Sequence, residues 1–126
     1  MTTEKINNTD FIERIRKNIL ENLELWGSKD KLFEYQKNVP IAQVSAELFC
    51  QWDETYHPND KYFLKAFNEK ERIILANFDR IVNEIAKETP NDLPDIVDFV
   101  ETQGWRTLNE LATKTLGDLE TEKSHS

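Results

Sequence analysis

The segment Glu47-Leu-Phe-Cys-Gln-Trp-Asp-Glu-Thr-Tyr-His-Pro58 is the densest run of residue types able to do chemistry in this chain. Asp53 and His57 stand four apart, so a continued helix would put both on one face, as a two-ligand metal site needs. Further ligands would have to come from Glu47, Glu54 or Asp60. The spacing matches no metal motif, and Pro58 breaks the helix at His57. A surface or capping histidine is the plainer reading, and no metal or other cofactor is expected. Cys50 and His57 could be proposed as a thiol–imidazole pair. Seven helical positions separate them by two turns and about 10 Å, too far for a hydrogen bond. Cys50 therefore reads as a half-buried structural side chain, and His125, in the polar terminal stretch, is a poor base. Three glycines, each at an expected helix end, leave no material for a phosphate-binding loop or a serine elbow. The chain is not expected to be an enzyme.

A different pattern lies further on. Glu88, Asp92, Asp95, Asp98 and Glu101 are five acids in fourteen residues, with only Lys87 beside them. On a helix Asp95, Asp98 and Glu101 would stack along one face, an arrangement that costs a few tenths of a kcal/mol per pair, roughly, unless compensated. A basic partner would compensate it; a solvated face with Asp95 serving the helix dipole is the alternative. Glu69 and Glu71 are explained by the same helix-start electrostatics. Tyr56 and Tyr62 flank a proline turn and are candidates for exposed interface anchors.

The charge of the whole chain agrees with a basic partner. Its 126 residues carry 16 Lys plus Arg against 24 Asp plus Glu, a net −8. Residues 1–40 hold seven basic and seven acidic side chains, so residues 41–126 carry the entire excess. Such a surface repels phosphate backbones and anionic lipid, so nucleic-acid and membrane binding are disfavoured. The single cysteine excludes an internal disulfide. No apolar signal segment is visible and no apolar run approaches a membrane span, so the expected location is cytoplasmic.

The elements that must carry these residues read as helices. Asp10 with Glu13 forms a capping-box pattern ahead of Ile12, Ile15, Ile19, Leu23 and Trp26, a stripe at helical period closed by Gly27. Ser28 opens a short second helix, and Pro40 bars the Val39–Val44 stretch from a central strand. Residues 43–54 are apolar round most of their girth, the pattern of a helix at the centre of a bundle. Asp60 caps one turn carrying Phe63 and Phe67. Asn68 with Glu71 caps a long helix on Ile74, Phe78, Ile81 and Ile85, with Leu75 and Val82 widening the stripe, and the prolines between Thr89 and Pro94 break the chain. Pro94 suits the first turn of a short helix over Ile96, Phe99 and Val100, Gly104 punctuates, and Trp105, Leu108, Ala112, Leu116 and Leu119 form the last stripe. Trp52, Phe63, Phe67 and Phe78 are expected in the core. The expectation is one all-α domain over residues 9–119, a compact bundle of five or six helices without a sheet, between a flexible stretch 1–8 and a polar tail 120–126.

The stretch Glu34-Tyr-Gln-Lys-Asn-Val-Pro-Ile through Val44-Ser-Ala-Glu-Leu-Phe-Cys-Gln-Trp-Asp, with Tyr56-His-Pro and Phe67-Asn-Glu-Lys-Glu after it, resembles small bacterial immunity proteins. These accompany contact-dependent growth-inhibition and other polymorphic toxin systems, and the resemblance covers roughly residues 26–119. It implies a non-enzymatic protein, a monomer when free, that binds one cognate toxin domain and blocks it. Many such toxins are basic nucleases, in keeping with the charge. No site residue follows from the resemblance. The charge pattern nominates Asp92, Asp95, Asp98 and Glu101 as partner-binding residues, with Glu54 and Tyr56 as second choices. The competing readings are an acidic regulatory or adaptor module and a small carboxylate/His metal enzyme.

Overall fold

Helix starts in this chain are written by short side chains that accept the orphan amides of a first turn. In the computed structural model, which describes residues 8–39, 44–88 and 95–125, they do so at four junctions, one of them where Thr102 Oγ1 accepts from the Trp105 amide at 3.2 Å ahead of the last helix. Ser28 Oγ accepts from the Lys31 amide at 3.2 Å, starting α2 (Lys29–Asn38). Asp60 accepts from the amides of Tyr62 and Phe63, starting α4 (Lys61–Ala66). Asn68 and Glu71 form a reciprocal box, Glu71 N to Asn68 Oδ1 at 2.8 Å and Asn68 N to Glu71 Oε1 at 3.0 Å, starting α5 (Glu69–Glu88). The remaining elements are α1 (Asn8–Gly27), α3 (Val44–Thr55), α6 (Ile96–Phe99) and α7 (Gln103–His125). The fold is all-α: seven helices and no strand among the described residues.

Four local expectations change. α1 begins at Asn8, so Asp10 lies inside the first turn and not at the cap. Gly104 does not end an element; it sits in the first turn of α7, where an added Cβ would lie 3.0 Å from Ile85 Cγ2. Its lack of a side chain lets α7 start hard against α5. Gly117 is interior to α7, which continues past Leu119 to His125, through the stretch read as a polar tail. The turn between Thr89 and Pro94, and Pro40 with its neighbours, lie outside the described residues.

The helix at the centre is α1, and not α3: α2, α3, α4 and α7 all pack on it. Asn109 Nδ2 donates to Trp26 O at 3.0 Å, while Arg16 and Leu20 lie beside Leu116 and Leu119. The end of α1 therefore meets the early part of α7, and the two run antiparallel. The core holds Ile19, Leu23 and Trp26 of α1, Leu48 and Trp52 of α3, Phe63 and Phe67 at α4, and Leu108, Ala112 and Leu119 of α7. On α5 the buried stripe centres on Phe78 with Leu75 and Val82, the two residues expected to widen it. Glu71, Leu75, Phe78 and Val82 are buried, while Ile74, Ile81 and Ile85 pack at its margin. Phe78 joins the aromatic side chains, edge-on to Trp52 at 4.9 Å and to Trp26 at 6.4 Å. Trp52 Nε1 donates to Asp79 Oδ1 at 2.9 Å, so this buried indole is satisfied.

One charged pair is built into this packing. Arg16 of α1 reaches Glu71 with Nη2–Oε2 at 2.6 Å and Nη1–Oε1 at 3.1 Å, and it also donates to Ala66 O at 2.9 Å. The Glu71 side chain is 4% exposed. Arg72 donates to Leu64 O and Phe67 O, so two arginines satisfy the carbonyls left open where α4 ends.

Candidate functional site

The local structure separates the residues of the Glu47–Pro58 segment. α3 ends at Thr55, before His57, so Asp53 and His57 do not share a helical face. His57 is exposed, with Nε2 2.7 Å from the carbonyl of Glu54, a helix-end contact. Cys50 is exposed and not half-buried, because the turn that buries Leu48 and Trp52 points it outward. Among the described residues no three His, Cys, Asp or Glu side chains converge as metal ligands do. Tyr56 is not an exposed anchor. It stacks on Trp52 at 5.1 Å and meets Phe63 edge-on at 5.4 Å. Burial, with Asp79 nearby as the smaller cause, pushes its hydroxyl pKa up to about 12. Tyr62 is also half-covered, stacked on Phe11 at 5.6 Å.

The acidic run is divided by the fold. Asp92 lies outside the described residues, and Glu88 is exposed at the end of α5. Asp95 occupies the N-cap position of α6 without a side-chain cap bond, and Asp98 sits in its first turn. Because α6 stops at Phe99, Glu101 belongs to the following turn and does not continue the row. It is also compensated, 3.2 Å from Arg106 and 4.0 Å from Lys29. Such exposed pairs contribute about 0–1 kcal/mol and mainly fix where the carboxylate stands. Asp95 and Asp98 are exposed, and neither has an ion-pair partner among the described residues.

Between them sits a residue that sequence reasoning missed. Val97 is 62% exposed, whereas Ile96, Phe99 and Val100 point into the core. The signal was available: those three positions fill the inward face of so short a helix, which leaves Val97 outside. Asp95, Val97 and Asp98 thus form an apolar knob flanked by carboxylates that have no ion-pair partner among the described residues. Phe99 anchors the platform on Phe49 of α3, ring centroids 6.2 Å apart. Glu54 is five residues beyond Phe49, about 140° round the helix, and so faces away from α6. The structure keeps Asp95 and Asp98 on α6, places Glu101 in the turn that follows, and leaves Glu54 and Tyr56 elsewhere.

Glu54 instead lines a groove of about 500 Å³ between α1, α2 and α3, with Glu21, Asn22, Lys31, Tyr35 and Gln51. At its edge Tyr35 donates its hydroxyl proton to Glu47 Oε2 at 2.8 Å, and Gln51 Nε2 donates to the same hydroxyl at 3.1 Å. The bond to Glu47, with a smaller contribution from burial, raises the Tyr35 pKa. No helix among the described residues is long and apolar enough to cross a membrane. No protein-family model, curated protein or solved structure matches this chain.

Proposed function

We propose that this chain is an immunity-type inhibitor. It binds one cognate toxin domain with a basic surface and blocks it by covering its active cleft, performing no catalysis itself. The observation that carries this reading is the α6 surface, where Asp95 and Asp98 stand exposed and without ion-pair partners among the described residues on either side of exposed Val97. Unpaired carboxylates attract Lys and Arg and speed encounter, while an apolar knob set among them provides contact once water is expelled. The net −8, carried by residues 41–126, adds long-range attraction of the same sign. The resemblance of residues 26–119 to immunity proteins points the same way.

The test is to co-express the tagged chain with the product of the neighbouring gene and purify on the tag. One stoichiometric partner, held at moderate salt and toxic when expressed alone, supports the reading. A spread of basic proteins released together as salt rises would replace it with an acidic adaptor. Within a confirmed complex, Asp95→Lys with Asp98→Lys should abolish protection against the toxin. Full protection by that folded variant would move the interface off α6.

A further inference from the structure

Within the acidic part of the chain one stretch carries the opposite sign. Residues 61–73 hold Lys61, Lys65, Lys70 and Arg72 against Glu69 and Glu71, and Glu71 is buried on Arg16. Lys61, Lys65 and Lys70 are exposed and have no ion-pair partner among the described residues. Lys61 instead lies over the Tyr62 ring at 5.1 Å, and Glu69 is the one exposed acid among them. Two large aliphatic side chains stand between these cations. Leu64 is 45% exposed, one turn after Lys61 and next to Lys65. Ile73 is 64% exposed, one turn after Lys70. It lies two positions, about 200° round the helix, from buried Leu75 and so points straight out. Arg72 joins the two places, since its guanidinium donates to Leu64 O at 3.1 Å and Phe67 O at 2.7 Å and holds the end of α4 against the start of α5. The corner is a basic rim around exposed aliphatic side chains.

Its chemical complement is present on the same chain. Of the four large apolar side chains exposed among the described residues, Leu64 and Ile73 are at this corner and Val97 is on α6, with Asp95 and Asp98 beside it. Within one copy the two surfaces are apart: α6 packs on α2 and α3, α4 packs on α1, and no ion pair among the described residues joins them. We propose that the α4–α5 corner docks α6 of a second copy of this chain, with Lys65 and Lys70 facing Asp95 and Asp98, and Val97 set against Leu64 and Ile73. Because the two surfaces differ, the contact is head to tail, and each pair of copies still carries one free surface of each kind. So small an apolar centre holds the copies weakly. The free chain is then a reversible assembly at high concentration, and not the strict monomer that the resemblance implies. The contact does not depend on the inhibitor reading; where that reading holds, a basic partner and a second copy compete for α6.

The experiment is sedimentation velocity of the full chain over a rising concentration series at low and high salt, with the methyl signals of Ile73 and Val97 followed by NMR over the same series. The expected result is a sedimentation coefficient that climbs with concentration at low salt and flattens at high salt, with shifts at both methyl-bearing side chains. Lys65→Glu with Lys70→Glu, and separately Asp95→Lys with Asp98→Lys, should each weaken self-association about tenfold, since each sets like charges face to face. An equimolar mixture of the two variants should recover it, because each offers the surface that the other has lost. Both variants stay net negative, so overall charge does not draw them together. A coefficient independent of concentration, a mixture as dissociated as its components, or methyl shifts confined to one of the two surfaces would overturn the inference. No toxin is present in any arm, so that failure leaves the inhibitor reading standing, and a failed co-purification leaves this contact standing.

Discussion

At the corner where α1 crosses the start of α5, Arg16 and Glu71 meet at 2.6 Å with every contact directed inward. On α6, Asp95 and Asp98 stand in solvent with no ion-pair partner among the described residues. Both places concentrate charge in a chain that is 32% charged, yet only one uses it for architecture. A carboxylate removed from water must be matched, and Glu71 is matched twice over, by a guanidinium and by a capped amide. A carboxylate left in water needs no match and keeps its capacity to attract one. Charge is therefore a guide to partner binding here only after the internally satisfied acids have been set aside.

That contrast can be broken by mutation. Glu71→Ala leaves the Arg16 guanidinium, 22% exposed, with Ala66 O but without its carboxylate, removes half of the capping box, and should cost about 2–3 kcal/mol in urea denaturation. A loss below about 1 kcal/mol would place the corner in the same class as the surface pairs. Asn68→Ala removes the other half of the same box and should cost about 1 kcal/mol by the same measurement, with the ion pair kept. Tyr56→Phe probes burial without charge at neutral pH. The folded pKa of Tyr56 is raised from 10.0 to about 12, so the folded state favours the protonated phenol. That contribution is fully present below pH 10 and is lost as pH rises to about 12. Melting temperature should fall more steeply across this window in the wild type than in Tyr56→Phe. Asp95→Lys with Asp98→Lys should shift stability by less than about 0.5 kcal/mol. It should slow association with a basic partner and flatten the salt dependence of the association rate. A large stability loss there would mean that the α6 acids are structural after all.

How far the sequence foretold this depends on how local each feature is. The caps at Ser28, Asp60 and Asn68 were legible because cap and capped amide lie within three residues. So was the all-α class, from stripes at helical period, and so was the burial of Trp52, Phe63, Phe67 and Phe78. Pairing across the fold was not. Arg16 and Glu71 are 55 residues apart, and nothing in the spacing of either points to the other, so Glu71 read as an ordinary helix-start acid. Gly104 carried a break signal because the close approach of Ile85 is invisible along the chain. Tyr56 reads as exposed because it flanks a proline turn, whereas the turn lays its ring on Trp52. Of the nominated binding residues, Asp95, Asp98 and Glu101 stand out along the chain by charge density, whereas the exposure of Val97 beside them follows only from which positions of α6 turn inward.

Glu71 has one more consequence, which concerns time rather than energy. The same Oε1 that accepts the Asn68 amide also accepts Arg16, so the first turn of α5 cannot fray without releasing α1. Helix ends ordinarily open by themselves and exchange their amide hydrogens early. Here the end of α5 belongs to the same opening unit as the central helix, and the amides of its first full hydrogen-bonded turn should exchange only when the whole domain opens.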